Sequence, residues 1–70
     1  MIAPPTTEAV VAVLVEAYRP LTARQLAVLT GRSPTGVRVA LVRAAQAGRA
    51  LAVGEVEGRP GRWARLWVAS

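Results

Sequence analysis

The sequence predicts a small α+β domain in which three helices are followed by a two-stranded β-hairpin. Three observations predict it: apolar residues at helical spacing through the first two thirds of the chain, a change to strand-like runs after Gly48, and cap and stop signals between the segments. Seventy residues allow one domain, and 53% apolar against 19% charged residues is the composition of a chain that packs a core. With no Cys and no His, disulfide staples, thiolate or imidazole zinc sites and imidazole catalysis are excluded. Helix packing or association must therefore supply the stability.

Helix one is expected over about residues 7–18. Pro4 and Pro5 keep the start extended, Thr6 offers a hydroxyl cap, and Glu8 stands in the first turn, where the helix dipole favours a negative charge. Pro20 stops the helix, because it interrupts the backbone ladder and biases the preceding residue away from helix. Leu21 is expected to form a one- or two-residue strand against the later hairpin.

Thr22-Ala23-Arg24-Gln25 has capping-box spacing, which opens helix two over about residues 23–30, and Gly31 is placed to close it in the left-handed conformation. Ser33-Pro34 reads as a cap followed by a proline at the first helical position, which opens helix three over about residues 34–47. Val37, Ala40, Leu41 and Ala44 give that helix an inward stripe, and Gly48 closes it. Residues 50–56 and 63–68 read as strands joined by a loop over 57–62, a hairpin spanning about 50–68. On its last strand Leu66 and Val68 are expected to face the core, with Trp63 and Trp67 either flanking Arg65 on the outer face or covering the end of the small core.

The charge is unevenly spread. All nine basic residues are Arg and the net charge is +5, yet residues 1–23 are net acidic, with Glu8, Glu16 and Arg19. Residues 24–49 hold Arg24, Arg32, Arg38, Arg43 and Arg49 without a single acid, the footprint expected of a polyanion partner. Four Glu and one Tyr, with no paired carboxylates and no glycine-rich phosphate loop, leave no basis for an enzyme, a cofactor or a metal. The start Met1-Ile2-Ala3-Pro4-Pro5 has no basic leader, and the longest apolar run, residues 9–15, is too short to span a bilayer. A cytoplasmic location without a membrane partner is the expectation.

The spacing Leu26-Ala27-x3-Gly31-x5-Val37 resembles the helix-turn-helix pattern: Ala27 lets the helices approach, Gly31 makes the sharp turn, and Val37 locks the third helix against the second. With the hairpin after Gly48, the chain over roughly residues 7–68 resembles the winged helix-turn-helix domains of bacterial transcriptional regulators. It departs from them at Arg32, where an aliphatic residue is usual, and at Ala44 and Arg49, where larger apolar residues are common.

The resemblance implies that helix three enters the major groove of double-stranded DNA. Periodicity turns Thr35, Arg38, Val39, Val42, Arg43 and Gln46 outward. Thr35, Arg38 and Val39, in the N-terminal half, are the expected base readers, Arg38 on a guanine and Val39 on a thymine methyl. Arg24, Arg32, Arg43 and Ser33, with the first free amides of helix three, are the expected phosphate contacts. Gly58-Arg59-Pro60 resembles the Gly-Arg-Pro core of the AT-hook, which implies a minor-groove or backbone contact by Arg59 and Arg62 at the wing tip.

Helix one carries two apolar stripes, Val10, Val13, Leu14 and Ala17 on one side and Val11, Val15 and Tyr18 on the other. One domain buries only one of them, so Val11, Val15 and Tyr18 are the expected homodimer interface, consistent with the use of the first helix in this family. The functional expectation is a sequence-specific regulator, such as a repressor acting by site occupancy, with no small-molecule effector. The alternative is a winged-helix protein-protein interaction module within a larger assembly, docking through Val39, Val42, Trp63 and the second stripe of helix one.

Overall fold

In order along the chain, α1 (Thr6–Glu16), α2 (Ala23–Thr30), α3 (Pro34–Gln46), β1 (Ala50–Arg59) and β2 (Arg62–Ala69) make up the computed structural model, which describes residues 5–70. Three helices followed by an antiparallel hairpin is the expected α+β layout, that of a winged helix. The extended start expected of Pro4 lies outside the described residues.

The start and end of α1 differ from expectation. Pro5 (φ −54°, ψ 151°) occupies the N-cap, and no side chain caps this helix. The Thr6 hydroxyl lies inside the first turn and instead accepts a hydrogen bond from Arg32 Nη1 at 3.2 Å. The helix ends at Glu16, two residues before Tyr18, and Ala17 is already extended at φ −75°, ψ 136°. Pro20 accounts for this, since in a continuing helix its ring would collide with the carbonyl four residues back, that of Glu16. The released segment carries Leu21 to β2, where its backbone exchanges both hydrogen bonds with Trp67, at 2.8 and 3.0 Å.

The two caps that follow form as the sequence demands. Thr22 accepts from the Gln25 amide at 3.2 Å while the Gln25 side chain accepts from the Thr22 amide at 2.9 Å, closing a full capping box. Gly31 takes the left-handed conformation at φ 69°. At the end of α3 the Gly48 amide bonds the Ala45 carbonyl and the Arg49 amide bonds the Ala44 carbonyl, the paired pattern of a Schellman motif with Gly48 at φ 74°. Each motif satisfies carbonyl or amide groups that a bare helix end leaves open.

One core cluster joins the elements. Val10, Val11 and Leu14 of α1 meet Leu26 and Ala27 of α2 and Val37, Ala40, Leu41 and Ala44 of α3, with Leu21, Ala50 and Trp67 closing the hairpin side. All four residues of the expected α3 stripe are buried. Val11 is buried too, only 7% exposed, whereas Val15 and Tyr18 are exposed. The second stripe expected on helix one therefore does not exist as a surface. The wedge between α2 and α3 takes Val10 and Val11 together, and Tyr18 lies beyond the helix end.

The hairpin also corrects two expectations. Its turn is two residues long, not six: β1 runs to Arg59, β2 starts at Arg62, and Pro60-Gly61 closes the turn with Gly61 at φ 75°. Proline followed by a positive-φ glycine is the type II arrangement, and a register shift between Glu57 and Arg59 absorbs the additional residue. Trp67 faces the core at 8% exposure, and Leu66 and Val68 lie on the opposite face, half-buried. The Leu21 bridge explains the choice, because residues paired across an antiparallel bridge project to the same side and Leu21 is buried. Among the described residues, no helix is long and apolar enough to cross a membrane.

One long-range ion pair ties the start of α1 to the end of α3. Arg49 Nη1 and Nη2 donate to Glu8 Oε1 and Oε2 at 2.5 and 3.0 Å, a bidentate pair on the surface. Hydrogen bonds from that guanidinium, and then its charge, hold the Glu8 carboxyl below the ordinary carboxylate range. A carboxylate whose pKa is depressed by folding contributes stability above its unfolded pKa and loses it as pH falls through the folded value. Thermal unfolding of the wild-type chain should therefore lose midpoint as pH falls below the ordinary Glu value of 4.5. Glu8→Gln should lose less on the same acidification. Equal losses in the two proteins would remove the pair from the stability of the fold.

Candidate nucleic-acid interface

The exposed side of α3 follows from its buried side. With Val37, Ala40, Leu41 and Ala44 fixed inward, Thr35, Arg38, Val39, Val42, Arg43 and Gln46 are all exposed. At 100° per residue, Thr35, Val39, Val42 and Gln46 form an uncharged central stripe, and Arg38 and Arg43 stand on opposite flanks about 140° apart. The base readers expected from sequence, Thr35, Arg38 and Val39, are thus brought onto one side of one helix. α3 is braced from behind by both α1 and α2.

The N-terminus of α3 is more fully satisfied than the sequence suggests. Ser33 Oγ accepts from the Gly36 amide at 3.1 Å, Val37 donates to the Ser33 carbonyl at 2.9 Å, and Pro34 has no amide hydrogen. The Ser33 and Thr35 amides are left as open donors at this end among the described residues.

The remaining Arg residues do not share one setting. Arg43 is exposed on α3, whereas Arg32 is half-buried in the turn between α2 and α3 and donates to Thr6, so it braces the turn. Arg24 lies on α2 and lines a groove with Arg19 to which no α3 residue contributes. Arg49, counted in the acid-free basic run, is committed to Glu8. Long-range pairing of this kind has no local sequence signal.

At the wing tip, Arg59 and Arg62 face one another across the turn as a cross-strand pair, both exposed. Glu57 accepts from the Gly61 amide at 3.4 Å, and Glu55 sits opposite Arg65 further down. The pairing register divides the wing into two unlike faces. Leu51, Gly54, Val56, Ala64, Leu66 and Val68 share one face, apolar up to the Arg59–Arg62 pair at its tip, and Glu55, Glu57, Trp63 and Arg65 share the other with Trp67 at its base. Trp63 is 64% exposed.

Three features escaped the sequence reading: the apolar wing face below the Arg59–Arg62 pair, the Glu8–Arg49 tie, and the groove beside α2. The first was present in the alternation but needed the bulge at Val53, between the Ala52 and Gly54 pairs, to be legible. No model of a known protein family matches this chain, and no curated protein matches it either.

Proposed function

We propose that this protein binds double-stranded DNA as a sequence-specific transcriptional regulator, with α3 in the major groove and the tip of the wing against the minor groove or backbone. The observation that carries this reading is the arrangement on α3: an uncharged stripe flanked by two Arg on the free side of a helix whose other side is wholly buried. A helix about 10–12 Å across fits a major groove about 12 Å wide. Arg38 then reads a guanine edge and Val39 a thymine methyl, with Thr35 beside them. Arg43, Ser33 and the Thr35 amide suit phosphate oxygens, and Arg59 and Arg62 suit the backbone or a narrow minor groove. Arg32 and Arg24 are left out of the contact set, since the first braces the turn and the second lines the α2 groove.

Two copies on neighbouring half-sites, about one turn of DNA apart, would give a nearly palindromic target. Val15 and Tyr18 remain as exposed residues on or beside α1 for such a homodimer. The second reading, a protein-docking module, draws on Val39 and Val42 at the centre of the α3 stripe. The flanking Arg pair and the absence of acids between residues 24 and 49 favour DNA.

Selection from pooled random duplexes at two salt concentrations tests the proposal. Arg38→Ala should weaken binding to the selected sequence by about 1–3 kcal/mol and flatten preference at one base pair. Arg43→Ala should weaken binding to all sequences alike and lower the salt slope by about one. An Arg38→Ala protein with unchanged affinity and unchanged preference would remove the reading role.

A further inference from the structure

The linker after α1 and the outer side of α2 enclose an open groove lined by Arg19, Leu21, Arg24, Gln25, Val28 and Leu29. Its floor is the buried Leu21, and its walls are Val28 and Leu29, 79% and 60% exposed. Leu26 and Ala27 turn α2 inward, so its next two residues have to project to solvent. Isolated exposed aliphatics need no explanation, but these two are continuous with a buried apolar floor. Arg19 and Arg24 are the ionisable groups of the groove, and neither is held by an ion pair or hydrogen bond among the described residues. Past Leu21 the hollow continues along Val13, Ala17 and Tyr18, with Glu16 at that far end.

We propose that this groove docks a short amphipathic segment of a partner protein, its apolar side chains on Leu21, Val28 and Leu29 and its Asp or Glu residues against Arg19 and Arg24. Charge complementarity selects this occupant. DNA is disfavoured because a phosphate backbone offers nothing apolar to cover Val28 and Leu29. A second copy is disfavoured because it would bring a chain of net charge +5 onto two unpaired Arg. Glu16 at the other end sets a direction, with the acidic end of the segment beside α2 and a neutral or basic end toward α1. Since neither α3 nor the wing lines the groove, a bound segment leaves the proposed DNA face open, and the two partners can be held together.

The test pans the intact chain against a displayed library of random peptides about three helical turns long. Enriched peptides are expected to combine apolar residues at i and i+3 or i+4 with acidic residues. A synthetic peptide from that pool should bind with affinity lowered at least about tenfold by Arg19→Glu and by Leu29→Ser. Both variants should keep the wild-type circular dichroism and bind duplex DNA within about twofold of wild type, as both positions lie outside the DNA face. An absence of enrichment, enrichment without acidic bias, or peptide binding indifferent to both substitutions would overturn the proposal. Because no duplex enters the selection, that failure is separable from failure of the DNA reading, which Arg38→Ala reports.

Discussion

Leu26→Ala should leave most of the chain unfolded at 25 °C. Leu26 has no solvent exposure and sits where α2 meets α1 and α3. Truncating such a leucine removes its transfer free energy and leaves a cavity, at a combined cost of about 2–5 kcal/mol. A core of this size rarely supplies more than about 3–5 kcal/mol, and no disulfide is possible in a chain without Cys. Three residues along the same helix, Leu29→Ala should cost within about 0.5 kcal/mol, because Leu29 already faces solvent. Urea titrations followed by far-UV circular dichroism measure both. A Leu26→Ala protein that melts like wild type would mean that the helices do not pack around this residue.

Trp67→Ala should be nearly as damaging, at about 3–5 kcal/mol, with Trp63→Ala close to neutral. Both tryptophans occur on β2, but Trp67 is locked inward by its bridge to Leu21 while Trp63 projects near the wing tip. Fluorescence separates them without unfolding the protein. In Trp63→Phe the remaining emission should be blue-shifted and shielded from acrylamide, and in Trp67→Phe it should be red-shifted and readily quenched. The reverse result would restore the opposite orientation of the strand.

The orientation of β2 shows where sequence reasoning reached its limit. Alternation along residues 63–68 puts large apolar residues in both phases, Trp63 and Trp67 in one and Leu66 and Val68 in the other, so the pattern contains two answers and periodicity does not choose between them. Leu21 makes the choice, through a contact 46 residues away in sequence. Local chemistry was enough elsewhere: the Thr22 capping box, the Gly31 turn, the Ser33-Pro34 start and the inward stripe of α3 are each fixed by neighbours within one helical turn.

Helix one failed in the same way as β2. Its apolar residues cover more than one side, and whether Val11 is surface or core depends on how closely α2 approaches, which Ala27 permits. The Arg residues were harder still. Sequence alone assigned Arg24, Arg32, Arg38 and Arg43 to one partner, and only the folded chain shows their different settings, with Arg32 engaged with Thr6, Arg24 exposed beside the α2 groove, and Arg38 and Arg43 flanking α3.

The proposed use of α3 is tested most directly by an amide NMR titration of the intact chain with duplex DNA at low salt. The account predicts the largest shifts at Thr35, Arg38, Val39, Val42 and Arg43, with a second group at Arg59 and Arg62 and little change at Val15, Tyr18, Val28 and Leu29. Shifts centred on that last set, with α3 unmoved, would contradict it.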